Sequence, residues 1–151
     1  MRLFILAFLL AASLAAASST GRTVERSWER ACHWTELVTS VSCEGMDAPQ
    51  VFYMPDNLMD AFLGKGVRGF FFPGKNVVYV RMGMAPFQRY LTQTHEMVHY
   101  ILDQKYGRRV PRCASEEAAR MVTDLEAGRP YTSDWKRWYN CDPTISPFGR
   151  R

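Results

Sequence analysis

The stretch Thr94-His95-Glu96-Met97-Val98-His99 constrains this chain more than any other, because it spaces two histidines four residues apart within an amphipathic pattern. An α-helix turns about 100° per residue, so the His95 and His99 side chains lie about 40° apart on one face, one turn from each other. Glu96 lies about 100° from His95, on the side of His99. The stretch therefore predicts two imidazoles that can hold one ion, with a carboxylate beside it.

The residues around this stretch form the apolar stripe that a helix packed on a core requires. Five apolar side chains project within an arc of roughly 100°, namely Phe87, Leu91, Val98, Ile101 and Leu102. The histidines lie at the edge of that stripe, and Glu96 lies further out on the same flank. Pro86 suits the first turn of this helix and Gly107 suits its C-terminal cap. We therefore expect the histidines to border a cleft rather than to be sealed in the core.

The pattern H-E-x-x-H on a helix is typical of zinc sites, although a lone match can also arise by chance. In such sites the histidines bind the ion, and the glutamate removes a proton from a water molecule whose pKa is lowered to about 7. A third protein ligand completes the site, and a fourth position stays open for water. We expect Zn²⁺ bound by His95 and His99, with Glu96 as the general base.

The N-terminus has the pattern of a secretory signal peptide. One basic residue, Arg2, precedes an apolar run from Leu3 to Leu10, and small residues then end in an A-x-A site at Ala15 to Ala17. The apolar run is shorter than the roughly 20 residues that a membrane-spanning helix needs. We expect residues 1–17 to be a cleaved signal peptide and residues 18–151 to form one secreted or periplasmic domain, without stable membrane association after cleavage.

Four cysteines remain after such a cleavage, an even number in an exported chain, which predicts two disulfides. We favour the pairs Cys32–Cys43 and Cys113–Cys141, because the first closes a short loop at a helix end and the second ties the C-terminal segment to the rest. The competing use is a zinc site of four thiolates. The cysteines lack the close C-x-x-C pairs that such sites prefer, so this use is disfavoured.

The net charge of +4 is small, and the basic residues form no long run. No nucleic-acid-binding motif accompanies them, so they are best interpreted as solvated surface. We expect no nucleic-acid partner.

The segments before the motif helix predict a small sheet. Gln50 to Met54 reads as a strand, and Asn57 to Leu63 as a short helix. Two β-rich runs, 66–72 and 76–81, flank Pro73-Gly74-Lys75 and predict a hairpin. With a first helix over 22–42, the chain is predicted to be α+β, with a small antiparallel or mixed sheet packed on the motif helix.

The third ligand is expected from the helix that follows, which is predicted over 115–127 with Ser115 as its N-cap. Its apolar stripe is defined by Ala118, Met121, Val122 and Leu125. At about 100° per residue, Glu117 lies about 90° from the centre of that stripe and Glu116 almost opposite. We therefore prefer Glu117 as the metal ligand and keep Glu116 as the alternative, since either can be a solvated acid of the first helical turn.

Three stretches together resemble the small gluzincin-type zinc metallopeptidases, and the nearest group is the ImmA/IrrE-type metallopeptidases. They are Gly69 to Val80, Thr94 to His99, and Ser115 to Arg120. In that group a Gly-aromatic hairpin precedes the H-E-x-x-H helix, and an E-A dipeptide in the next helix supplies the third ligand. The resemblance covers about residues 66–127. Export and cysteines depart from the group, whose members are mostly cytoplasmic.

The resemblance implies a zincin-like fold in which His95, His99 and Glu117 bind zinc and Glu96 is the general base. It also implies that the strand Val77 to Arg81 is the sheet edge along which a peptide or protein substrate lies.

The predicted chemistry is peptide-bond hydrolysis, with Glu96 passing the proton of water to the leaving amine. A further donor should stabilise the carbonyl oxygen, and the sequence offers Tyr100, Tyr106, Arg120 and Tyr131 without choosing among them. Asp103 is a candidate to orient a ligand imidazole. The alternative hypothesis is an exported, disulfide-stabilised binding or inhibitory module with structural zinc or none.

Overall fold

The helices and strands follow the predicted order. The computed structural model describes the backbone of residues 2–141 and the side chains of residues 21–107, 109–137 and 139–141. Its elements are α1 (Arg2–Thr39), β1 (Gln50–Met54), α2 (Asp56–Leu63), β2 (Gly69–Phe71), β3 (Val77–Arg81), α3 (Pro86–Tyr106) and α4 (Arg112–Glu126), with short 3₁₀ helices at Gly107–Arg109 and Asp134–Tyr139. The prediction of an α+β chain with a small mixed sheet is confirmed.

The sheet has the strand order β1-β3-β2. β1 runs parallel to β3, with Gln50 opposite Val77, and β2 runs antiparallel to β3, with Gly69 opposite Val80. β3 is therefore the central strand, and the expectation that Val77–Arg81 forms a sheet edge is wrong. The predicted hairpin gave β3 only one neighbour, β2. In the structure β1 pairs with the opposite edge of β3, and the chain passes through α2 and β2 between these two strands. β2 is the edge strand nearest α3.

One face of the sheet packs on the helices. Val78 and Val80 of β3 are fully buried, whereas the residues between and beside them are half-buried, as a period of two requires. The valines join a core with Met97, Val98 and Ile101 of α3 and Ala118 and Val122 of α4. This packing fixes α3 against the sheet on one side, while α1 and α4 cover its other sides.

Two disulfides connect Cys32 to Cys43 and Cys113 to Cys141, which confirms the predicted pairing. The first ties the last part of α1 to the loop that follows it. The second ties the start of α4 to residue 141, at the end of the segment that we call the C-terminal segment (residues 131–141). This segment lies against α4, and its contacts bear on the site below.

The predicted signal peptide, residues 1–17, lies outside the residues whose side chains are described, so it stays a prediction together with the domain boundary after Ala17. Among the residues that were described, no helix combines the length and apolarity needed to cross a membrane.

Candidate metal centre

Two imidazoles meet on α3 as the motif predicts. His95 and His99 have their Nε2 atoms 3.2 Å apart. Both side chains are mostly but not fully buried, with 18% and 16% of their surface exposed. They therefore border an open cleft, which confirms the expectation drawn from their position at the edge of the apolar stripe.

The carboxylate that joins them belongs to Glu116 on α4. Its Oε2 lies 3.5 Å from His95 Nε2, and its Oε1 lies 3.6 Å from His99 Nε2. These three residues form a group whose ligand atoms could hold one metal ion. Glu116 Oε2 is also buried and has no hydrogen-bond partner among the described residues.

The three residues fit a zinc site in donor type and spacing. Metal–ligand distances of about 2.0–2.2 Å in a tetrahedral site correspond to ligand–ligand separations of about 3.3–3.6 Å. The two Nε2 atoms are 3.2 Å apart, and the Glu116 carboxylate approaches them to 3.5 Å through Oε2 and to 3.6 Å through Oε1. A buried carboxylate oxygen without a donor is costly unless a cation neutralises it. Two histidines and one glutamate are also the ligand set of several catalytic zinc sites.

Glu117 lies elsewhere, so the preference for it over Glu116 is corrected. Its Oε2 is 3.0 Å from Lys136 Nζ, and its Oε1 accepts a hydrogen bond of 3.2 Å from the Tyr131 hydroxyl. Glu117 is therefore held by the C-terminal segment, on the side of α4 away from the imidazoles.

The error came from the phase of α4. The residues of its apolar stripe that are actually buried are Ala114, Ala118, Ala119, Val122 and Thr123, while Leu125 is 43% exposed. At about 100° per residue, this moves the centre of the stripe by roughly 60° toward Ala119. Glu116 then lies beside Thr123 at the edge that faces α3. Alanine and threonine do not mark a face strongly, so the sequence alone favoured the larger Met121 and Leu125.

Ser115 supports one of the imidazoles. Its Oγ lies 2.6 Å from His99 Nδ1. With a metal on Nε2, Nδ1 would carry the proton and donate to this hydroxyl, an arrangement that fixes the tautomer and orientation of a metal-binding imidazole. The predicted N-cap role of Ser115 is wrong, because α4 begins earlier, at Arg112 after Pro111. Asp103, the expected orienting residue, instead accepts a hydrogen bond of 3.4 Å from the Gly74 amide.

Glu96 is buried beneath β2 rather than lying on an exposed flank. Only 8% of the residue is exposed, and its Oε2 accepts a hydrogen bond of 2.9 Å from the Phe71 amide. Burial raises the pKa of Glu96 to about 7, and repulsion from Glu116 raises it further. The charge of His95 and the hydrogen bond from the Phe71 amide lower the pKa but do not outweigh burial. A carboxyl group with this pKa can both accept and release a proton near neutral pH.

The charge states of the other residues suit metal binding. Burial, together with the charge of His95, lowers the pKa of His99 to about 3, so its ring is neutral at pH 7. Burial alone would raise the pKa of Glu116, but the close contact with His95 and the charges of His99, His95 and Arg120 outweigh it and leave the pKa at about 2. Neutral imidazole and ionised carboxylate are the forms that bind zinc.

Gly69 makes room for Glu96 and was missed as a site residue. A Cβ atom at this position would lie 2.6 Å from Thr92 Cγ2 and 2.8 Å from Glu96 Cγ. Any side chain would therefore push β2 away from α3 at the point where Glu96 is held. A glycine within a β-rich run is a known sign of close backbone approach, so the sequence carried a signal for it.

A cleft runs between β2 with its flanking loops and α4 with the C-terminal segment. The side chains of His95, Glu96, His99 and Glu116 lie on its floor, and Arg120, Trp135 and Tyr139 line the α4 side. Its volume of 1870 Å³ exceeds the roughly 300–1,000 Å³ typical of small-molecule pockets. The cleft can thus accept a segment of a larger molecule.

Comparison with protein-family models, with curated proteins and with solved structures finds no match to this chain. The resemblance to the small gluzincin-type metallopeptidases therefore rests on the motifs of the sequence.

Proposed function

We propose that this protein is an exported zinc-dependent metallopeptidase that hydrolyses peptide bonds. The observation that carries the proposal is the convergence of His95, His99 and Glu116 from two helices, with the carboxyl group of Glu96 next to them. Because the structure brings Glu116 to the imidazoles, Glu116 replaces Glu117 as the proposed third ligand. The two disulfides and the signal-like N-terminus support export.

A zinc ion held by these three side chains would lower the pKa of a water molecule and polarise a carbonyl group. Glu96 would take a proton from water as the water oxygen attacks the peptide carbonyl carbon, and would pass it to the nitrogen as the C–N bond breaks. Its pKa of about 7 suits both transfers, and the Phe71 amide keeps the carboxyl group in one orientation. Ser115 would hold the His99 ring in the tautomer that binds metal.

The size and shape of the cleft support a peptide or protein substrate. Its walls combine apolar side chains such as Leu91 and Phe70 with backbone of the edge strand β2, next to the proposed catalytic residues. An extended chain that lies along the cleft would pass directly over the two imidazoles.

The substitution Glu96→Gln tests the proposal. Glutamine fills the same space and can still accept the Phe71 hydrogen bond, but it cannot accept a proton. We expect the variant to keep stoichiometric zinc, measured by mass spectrometry of the metal, and to cleave quenched-fluorescent casein about 10²–10⁴-fold more slowly. Glu25→Gln, on the exposed surface of α1, is the matched control and should be fully active.

Two results would favour the alternative, an exported binding or inhibitory module. One is casein cleavage by Glu96→Gln at the wild-type rate, which would show that Glu96 is not the general base of any hydrolysis that is measured. The other is wild-type protein that neither retains zinc after dialysis nor cleaves casein.

A further inference from the structure

One cleft residue has no role in the mechanism so far. Of the four candidate donors to a substrate carbonyl oxygen, only Arg120 lines the cleft. The Tyr100 hydroxyl donates to the backbone oxygen of Asp47 and is buried in the core, and the Tyr131 hydroxyl donates to Glu117. Tyr106 lies at the end of α3, outside the residues that line the cleft.

Arg120 lies directly beside the proposed metal ligand. It follows Glu116 by one turn of α4, so both side chains share a face of the helix. The Arg120 Nε atom is 3.6 Å from Glu116 Oε2, which is too long for a hydrogen bond. That nitrogen is buried and has no hydrogen-bond partner among the described residues. The guanidinium is therefore near the proposed metal ligand, and its Nε donor is not used there.

Two aromatic rings hold the guanidinium in place. Its central carbon lies 5.5 Å from the centre of the Trp135 ring and 5.9 Å from that of Tyr139. Trp135 is itself buried, and its indole nitrogen donates to the Tyr131 hydroxyl. Stacking on fixed rings restricts an arginine without occupying its N–H groups, which point outward in the guanidinium plane. The side chain as a whole is 38% exposed and lines the cleft, although Nε itself is buried.

We infer that Arg120 is a further catalytic residue, which donates hydrogen bonds to the carbonyl oxygen of the scissile peptide bond. The inference rests on the proposed function. As the oxygen of water bonds to the carbonyl carbon, the π electrons of the C=O bond move onto the carbonyl oxygen, and Glu96 takes the proton of water. The guanidinium stabilises that negative oxygen. When the C=O bond re-forms, the C–N bond breaks and the nitrogen receives the proton from Glu96.

The other basic side chains of the cleft are less suited to this role. Arg129 is paired with Asp124 at 2.9 Å. Arg112 stacks on the Tyr139 ring with its central carbon 4.6 Å from the ring centre, and no contact with Glu116 is found among the described residues. Lys65 and Arg68 lie before β2, on the opposite wall. Among the basic side chains described as lining the cleft, Arg120 is the one with an ion pair to Glu116.

The test compares Arg120→Ala and Arg120→Lys with Arg22→Ala, a control on the exposed surface of α1 that does not line the cleft. The substrate is the best peptide from a quenched-fluorescent library. We expect Arg120→Ala to lower kcat by about 10²–10³-fold, with KM and zinc affinity changed by less than about threefold. Added guanidinium ion should restore part of the activity of Arg120→Ala. Arg120→Lys should be intermediate, and Arg22→Ala should be close to wild type.

A binding measurement makes the test independent of activity. Phenylphosphonate carries a tetrahedral anionic group like the tetrahedral carbon with its negative oxygen that forms during hydrolysis, whereas benzohydroxamate is a planar zinc ligand. By calorimetry on zinc-loaded protein, Arg120→Ala should weaken phenylphosphonate binding by about tenfold or more and should leave benzohydroxamate binding unchanged within about threefold.

Several results would overturn the inference. Equal phenylphosphonate binding by Arg120→Ala and wild type would exclude a donor role. A parallel loss of zinc affinity would make Arg120 a positioning residue for Glu116, and a loss confined to KM would make it an anchor for the substrate. If the wild type binds zinc and phenylphosphonate but cleaves no peptide, the peptidase function fails, and Arg120 is an anion-binding residue only.

Discussion

Glu116 and Glu117 are neighbours on α4, yet they lie in opposite environments. Glu117 is 4% exposed and is neutralised by Lys136 and Tyr131 of the C-terminal segment. Glu116 is 13% exposed, faces two imidazoles, and has one buried oxygen without a hydrogen-bond donor among the described residues. One carboxylate is satisfied by the protein alone. The other has the Arg120 Nε atom 3.6 Å away but no hydrogen-bond donor among the described residues for its buried oxygen, and this difference supports the proposal that Glu116 is the metal ligand.

Exchanging each glutamate for glutamine should separate the two roles, and the largest effect is expected at Glu116. Glutamine keeps the shape but removes the charge that a zinc ligand supplies. We expect Glu116→Gln to lower zinc affinity by about a thousandfold, more than the roughly 10–100-fold loss that follows removal of an outer hydrogen-bond partner. Titration against a chromophoric chelator measures this affinity, with folding checked by circular dichroism.

Glu117→Gln is the matched control for that experiment, since it makes the same chemical change one residue away. Its zinc affinity per folded molecule should stay at the wild-type value. If Glu117→Gln lost zinc and Glu116→Gln kept it, the original choice of Glu117 from the sequence would be right, and the arrangement of α4 described here would be wrong.

The second prediction concerns the stability that Glu117 provides. Glu117→Gln removes the carboxylate that lies 3.0 Å from the buried Lys136 ammonium, and breaking a buried ion pair costs about 3–5 kcal/mol. The free energy of unfolding, measured in urea with both disulfides intact, should fall by that amount. The loss from combining Glu117→Gln with Lys136→Met should be smaller than the sum of the two single losses, because both changes remove the same ion pair. Additive losses from the two changes would show that the residues do not act as a pair.

The two glutamates also mark the limit of what the sequence could predict. The H-E-x-x-H helix, the strands and the cysteine pairing follow from local patterns, and the structure contains all three. The choice between Glu116 and Glu117 required the phase of α4 to within about 60°, and small side chains such as Ala119 and Thr123 define a face poorly. The partners of Glu117 lie on the C-terminal segment, so no local pattern could reveal them.

The support of Glu96 was hidden for a similar reason. Its hydrogen bond comes from the backbone of Phe71, 25 residues earlier in the chain, and the space for it comes from a missing side chain at Gly69. The helical pattern placed Glu96 on an outer flank because it could not show that β2 covers that flank. Residues that act through their backbone or through the absence of a side chain leave only weak signals in a sequence.

A third glutamate of α4 provides an intermediate case and the smallest expected effect. Glu126 accepts hydrogen bonds of 2.7 Å from Arg30 and Trp34 of α1 and 2.6 Å from Tyr90 of α3, so it connects three helices. Burial alone would raise its pKa, but the hydrogen bonds from Tyr90, Trp34 and Arg30 outweigh burial and lower the pKa below its usual value. Like Glu117, it is an acid satisfied by the protein.

The pKa of Glu126 is lower in the folded state than in the unfolded state. Its charge therefore stabilises the fold at pH values above the unfolded pKa. This stabilisation is lost as the pH falls through the folded pKa. Glu126→Gln should therefore reduce the free energy of unfolding by about 1–3 kcal/mol at pH 7, and the gap to wild type should close as the pH is lowered below about 4. Urea unfolding across this pH range measures the gap, with Glu29→Gln on the exposed surface of α1 as control. A gap that stayed constant down to pH values below the folded pKa would mean that the shape of the side chain, and not its charge, holds the three helices together.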